Sequence, residues 1–176
     1  MKMGKLLLAI TLLIGMTVLG ACVSTPDAPV LPDAQSAVVY FFGYKSHGAS
    51  VWDGEMPIGD FGKGPVVGYL VWKTKPGQHF FLANTFNWNV IKANLQANKT
   101  YYVKLEEIPN PVPFAKRMVV MRPLEPEDGE KWLKKSRTTT FTDEWRANFA
   151  QGKLLEEAKE QLQKARNDKA LETNLK

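Results

Sequence analysis

The residues able to do chemistry in this 176-residue chain are few and scattered. There are two histidines, His47 and His79, and one cysteine, Cys22. Ser50, His47 and Asp53 are of the types that make a serine nucleophile with its base and orienting acid. However, no Gly-x-Ser-x-Gly elbow presents the serine, and His47 stands on a polar loop three residues from it. An exposed loop histidine is the simpler reading. Asp53, Glu55 and Asp60 supply carboxylates, and a glycosidase needs two of them facing each other across a sugar. Here Asp53 is better explained by its turn. A metal site drawn from His47, His79, Asp53 and Asp60 needs a proximity that the spacing does not supply. The loop Gly62–Pro65 lacks the lysine-serine/threonine ending of a phosphate loop, and no helix pattern follows it. None of these sets makes an enzyme, and no metal or soluble cofactor is expected.

The thiol of Cys22 is the strongest nucleophile in the chain, and it sits in a specific setting. Lys2 and Lys5 precede an apolar run from Leu6 to Leu19, and Gly20 and Ala21 then lead into the cysteine. A run of about 14 residues is too short to cross a bilayer, which takes roughly 20, but it suits the h-region of a signal peptide. The segment Leu19-Gly20-Ala21-Cys22 resembles the lipobox of bacterial lipoproteins. That resemblance implies a diacylglyceryl group on the Cys22 sulfur, cleavage just before it, and an acyl chain on the new amine. Two or more chains give stable anchoring at about 0.8 kcal/mol per buried CH₂. Val23 stands where an aspartate would favour inner-membrane retention, so the resemblance implies the outer membrane.

Residues 1–21 are therefore read as a signal peptide, and the remaining 155 or so suffice for one domain. Loss of Lys2 and Lys5 takes the formal charge from +5 to +3. A bias this mild points away from nucleic acid and leaves an anionic membrane surface as a partner. With no second cysteine, disulfides and thiolate metal sites are excluded.

Residues 22–36 carry Pro26, Pro29 and Pro32 without apolar periodicity and read as a tether, at most about 45 Å long. From Ala37 the texture turns to β. Ala37–Phe42 reads as a strand covered on both faces. Asp53-Gly54 signals a hairpin returning through Met56–Phe61, with Pro57 marking an edge. Val66–Lys73 is followed by Lys75-Pro76-Gly77-Gln78, which suits a type II turn and a further hairpin. Gln78–Ala83, Trp88–Leu95, Thr100–Glu107 and Phe114–Met121 complete the strands. An antiparallel β-sandwich over 37–121 follows, with a helical extension over 122–176.

In that extension Pro126–Lys135 has proline and acids at its start and lysines at its end, as the helix dipole prefers. Thr142 is the expected N-cap of a longer helix. Along it Trp145, Phe149, Leu155, Ala158, Leu162 and Ala165 recur at helical spacing, and Gly152 weakens it. Its Trp145/Phe149 face is expected to dock on the sandwich or on a second copy, with the chain mobile beyond Ala165.

Trp52, Trp72 and Trp88 could stack on a sugar or a partner, although such aromatics more often fill a core. Trp52, beside a turn, is expected to be the most exposed. Lys131, Lys134, Lys135 and Arg137 form a basic cluster, read first as a solvated helix face and second as a contact for anionic lipid or cell-wall polymer.

The region from Ala37 to Leu105 also resembles a small all-β domain of bacterial lipoproteins, similar to PEGA-type sandwiches. The residues carrying the likeness are Val38-Val39-Tyr40-Phe41, Val51-Trp52-Asp53-Gly54 with Gly59, Pro76-Gly77 with His79, and Lys99-Thr100-Tyr101-Tyr102-Val103. The resemblance implies an envelope interaction module without catalysis. The expectation is a lipid-anchored envelope protein that presents a sandwich to an envelope protein or cell-wall polymer. The alternative is a glycan or small-ligand binder using aromatic loops.

Overall fold

The computed structural model describes residues 29–63, 66–112, 117–138, 140–168 and 175. The lipobox, Cys22 and the start of the tether lie outside the described residues. Nine strands are described. They are β1 (Ala37–Tyr44), β2 (Ser50–Asp53), β3 (Met56–Asp60), β4 (Val67–Thr74), β5 (Gly77–Asn84), β6 (Trp88–Leu95), β7 (Thr100–Ile108), β8 (Met118–Leu124) and β9 (Arg137–Thr138). The helices are α1 (Pro126–Lys135), α2 (Asp143–Phe149) and α3 (Gly152–Asn167). No described helix is long and apolar enough to cross a membrane.

Two sheets pack face to face, one ordered β8-β7-β1-β4-β9 and the other β3-β2-β5-β6. The chain is a β-sandwich with C-terminal helices. β1 is central, and residues Ala37 to Gly43 are all buried. Alternate residues serve two different cores, which is why the strand is apolar throughout. Val39 and Phe41 point between the sheets, where Phe41 meets Phe81 edge to face at 5.1 Å. Val38, Tyr40 and Phe42 point outward and pack with Tyr69 and Tyr102 under Trp132 and Leu133 of α1. The outer face of the four-stranded sheet is covered in the same way: Trp52 and Leu82 lie beneath Phe149, Leu154, Leu155 and Ala158 of α2 and α3. The fold thus has four layers, helix–sheet–sheet–helix.

Most pairings are antiparallel, but β1 runs parallel to β7, from Val38↔Thr100 to Phe42↔Lys104, and the two-residue β9 runs parallel to β4. Gly54 takes the hairpin position expected of it, with φ 59. The second expected hairpin does not form. Lys75-Pro76-Gly77 carries the chain from one sheet to the other, since β4 pairs with β1 and β9 while β5 pairs with β2 and β6. Gly77 opens β5 at φ 127, a value that favours glycine. The last long strand also ends late, at Leu124, so the sandwich extends past residue 121, while the expected start at Phe114 lies outside the described residues.

The extension starts as expected: α1 spans Pro126–Lys135, and the Thr142 hydroxyl accepts the Trp145 N–H at 3.1 Å. The long helix is in fact two. Gly152 sits at φ 63, outside the helical region, so the chain turns there and starts again. Leu175 also departs from expectation, being 9% exposed and packed into the core between the sheets.

The tether is pinned before it reaches β1. The Tyr40 hydroxyl donates to the Val30 carbonyl at 2.9 Å. Burial of Tyr40 pushes its phenol up to about 12. The Lys73 ammonium, 2.8 Å away, together with Ser36 and the Gln35 N–H, holds the Asp33 carboxyl down to about 2.

Candidate functional site

Asp53 ends β2 and is the centre of the most connected polar cluster. Trp72 of β4 donates its indole N–H to Asp53 Oδ2 at 2.9 Å. His79 of β5 places Nδ1 at 3.0 and 2.9 Å from the two carboxylate oxygens. Its Nε2 lies 2.9 Å from the Lys75 carbonyl. Both ring nitrogens face acceptors, an arrangement that favours the doubly protonated ring. The hydrogen bond to Asp53 raises the His79 pKa, while burial works against it. Both side chains are mostly buried, at 15% and 13% exposure. The guanidinium of Arg146 stands 5.6 Å from the Trp72 ring, which ties α2 to the same cluster. The Trp72–Asp53 hydrogen bond joins the two sheets where the chain crosses between them, and the Asp53–His79 ion pair ties β2 to β5 within one sheet. The geometry makes this cluster a clamp.

The sequence constellations are not brought together. Ser50 is buried and accepts the Trp52 indole N–H at 3.1 Å. Asp53 faces His79 rather than His47. Glu55 is exposed on the turn, and Asp60, at the far end of the β2–β3 hairpin, accepts the Gly62 N–H at 2.6 Å. No group of three metal-ligating side chains occurs among the described residues. His47 is not an exposed loop residue: its side chain is only 7% exposed, edge-on to Tyr44 and 3.8 Å from Glu107. Its Nδ1 is buried without a hydrogen-bond partner. Desolvation lowers its pKa, with Lys104 adding to the effect and Glu107 opposing it.

The three tryptophans part company. Trp52, expected to be the most exposed, is fully buried, because α2 and α3 close over it with Phe149 at 5.6 Å. Trp72 is half-buried against the inter-sheet core. Trp88 donates to Glu157 of α3 at 3.2 Å and is the one of the three that lines an open groove of about 230 Å³, with Val90, Gln161, Lys164 and Asp168 among its other walls.

Lys131, Lys134, Lys135 and Arg137 are all exposed. Lys131 pairs with Asp128 at 2.9 Å. Lys135 lies over the Trp132 ring at 3.9 Å, and Lys104 reaches the same ring at 4.8 Å. Trp132 in turn meets Tyr44 edge to face at 5.9 Å. This basic-aromatic end of α1 is the main grouping that sequence reasoning left unassembled. The signal available was only the tryptophan one residue after Lys131.

Comparison with protein-family models, curated proteins and solved structures gave no match.

Proposed function

We propose that this chain is a lipid-anchored protein of the bacterial cell envelope, in the outer membrane, that presents a non-enzymatic β-sandwich to another envelope component. The observation that carries the reading is the Leu19-Gly20-Ala21-Cys22 segment behind its short apolar run. The fold supports it. Cys22 lies seven residues before Pro29, and the domain begins at once with the Val30–Tyr40 hydrogen bond. A lipid on Cys22 would therefore hold the sandwich within roughly 25 Å of the bilayer, at about 3.3–3.6 Å per residue. The best-connected polar side chains, Asp53 and His79, are already spent on each other and on Trp72 and Lys75. The reading is tested by mass spectrometry of the mature protein, which should begin at Cys22 and carry the acyl chains, and by Cys22→Ser, which should accumulate as precursor. An unmodified Cys22 in the mature wild-type chain would overturn it. Crosslinking in intact cells then identifies the component engaged.

The groove beside Trp88 favours a second reading, a glycan or small-ligand binder. Titration with cell-wall oligosaccharides while following Trp fluorescence, with Trp88→Phe as control, decides it.

A further inference from the structure

The two ends of the sandwich differ in what they show to solvent. One end is built by the turn after β1, residues 61–63 and 66 between β3 and β4, the β5–β6 turn, residues 109–112 and 117 between β7 and β8, and the close of α1. The register sets these together. Tyr44 pairs with Val67, Ile108 pairs with Met118, and Gly68 pairs with Arg137. Phe61 of the β3–β4 turn lies against Gly43, and Asn87 of the β5–β6 turn bonds to the backbone of Val119.

Three large apolar side chains stand out from three different loops at this end: Val66 at 74% exposure, Phe86 at 67% and Val112 at 61%. Around them lie the exposed cations Lys45, Lys134, Lys135 and Arg137, with Arg117 paired to Glu107 at 3.5 Å. Of the three acids of α1, Glu127 and Asp128 sit at its first turn and Glu130 follows Gly129. That turn is at the other end, because α1 climbs from Gly129 against Tyr102 to Trp132 against Phe42 and Tyr44. Apolar tips ringed by cations match the bilayer interface, where apolar side chains enter the headgroup boundary and each nearby Lys or Arg is attracted to anionic lipid.

The path of the tether points the same way. Asp33 is held beside Lys73 and Asn98, near the start of β1, while the Val30 carbonyl is held by Tyr40, further along it. From Asp33 back to Val30 the chain lies on the α1 side of the sheet, with Leu31 69% exposed.

We propose that this loop end is a membrane-docking surface for anionic lipid, seated by Val66, Phe86 and Val112 and steered by Lys134, Lys135 and Arg137. The orientation rests on the lipid-anchor reading; the charge and exposure do not.

The test uses the full lipidated chain on phosphatidylcholine vesicles with and without phosphatidylglycerol. An environment-sensitive dye is placed on Val112→Cys or, at the opposite end, on Glu55→Cys, and doxyl lipids serve as quenchers. The dye at 112 should be quenched several-fold more than the dye at 55, and more so with phosphatidylglycerol. The triple charge reversal Lys134→Glu/Lys135→Glu/Arg137→Glu should abolish the phosphatidylglycerol effect. Equal quenching at both positions, none at either, or an unchanged lipid dependence in the triple variant would overturn the proposal. Capture of an envelope protein at 112 without quenching would overturn it too, making this end a protein-binding surface. Mass analysis of the same sample reports separately on the lipid at Cys22, so failure of the anchor reading is seen independently.

Discussion

The side chain of Asn87 holds the backbone of Val119 in both directions, accepting its N–H at 3.1 Å and donating to its C=O at 3.2 Å. It imitates a neighbouring strand. Asn89 extends the imitation by accepting the Met121 N–H at 2.7 Å. Val119, Met121 and Pro123 alternate along β8 with the residues bonded to β7, so they turn their backbone groups away from the sheet. Two amides satisfy part of that edge, and Pro123 has no N–H to leave open there. An edge that would otherwise invite another chain is closed against β6 of the facing sheet.

Asn87→Leu should therefore cost about 1–2 kcal/mol, since a half-buried donor and acceptor lose their partners together. Asn87→Asp keeps the acceptor but sets a carboxylate against the Val119 carbonyl, so it should cost at least as much at neutral pH. Urea unfolding measures both. Hydrogen exchange should speed up first at Val119 and Met121. Unaltered exchange at these amides would show that the clasp does not hold the seam.

The two histidines should give opposite pH signatures. The hydrogen bond to Asp53 raises the folded-state pKa of His79. Its contribution to stability is complete below the unfolded pKa of about 6.5 and is lost as pH rises through the folded value. His47, pressed toward its neutral form by burial, works the other way. Its folded pKa lies below about 6.5, so stability falls as pH drops from there toward the folded value. His79→Gln should flatten the alkaline side of a stability profile run from about pH 5 to 8, and His47→Gln the acid side. A His79→Gln profile parallel to wild type would refute the assignment.

The helical cover over Trp52 should be a large contributor to stability. Phe149 lies 5.6 Å from Trp52, and Trp145 stacks on Phe149 at 4.5 Å with Phe141 tilted against it at 4.2 Å. Both side chains are half-buried, so Phe149→Ala or Trp145→Ala should cost about 1–3 kcal/mol, less than a full core truncation. Leu175→Ala should also lower the melting temperature, because that side chain packs in the inter-sheet core. A melting temperature unmoved by Phe149→Ala would mean the helices are not seated there.

What could be read from the chain was what neighbours in sequence decide. The apolar density of Ala37–Phe42 gave a strand buried on both faces. Asp53-Gly54 placed one turn, and Thr142 and Pro126 placed two helix starts. What could not be read depends on partners far along the chain. Trp52 beside a turn looks exposed until a helix some 100 residues later covers it. Pro76-Gly77 suits a hairpin as well as a crossing between sheets, and only the pairing of β4 with β1 decides which. The clamp on Asp53 needs His79, 26 residues away, and neither residue announces the other. In an apolar helical pattern Gly152 reads as a weak point, but its positive φ makes it the break itself.

At Gly129 a general rule should reverse its sign. In an exposed helix interior, glycine to alanine gains about 1 kcal/mol. Gly129 is buried in α1, directly over the Tyr102 ring, and a Cβ built on it would overlap that ring. Tyr102 cannot yield easily, because its ring is stacked on Tyr40 at 5.7 Å and Phe42 at 6.2 Å. Gly129→Ala must then lift α1, and overpacking of this kind costs about 1–3 kcal/mol, enough to cancel the propensity gain and leave a net loss. Lifting α1 would also draw Trp132 away from Phe42 and Tyr44 and so displace Lys134 and Lys135. The same variant should therefore weaken the phosphatidylglycerol dependence proposed for the loop end. Shrinking the obstacle supplies the control: Tyr102→Leu combined with Gly129→Ala should be more stable than the sum of the two single changes. If Gly129→Ala alone raises the melting temperature, α1 does not lie this close to the sheet.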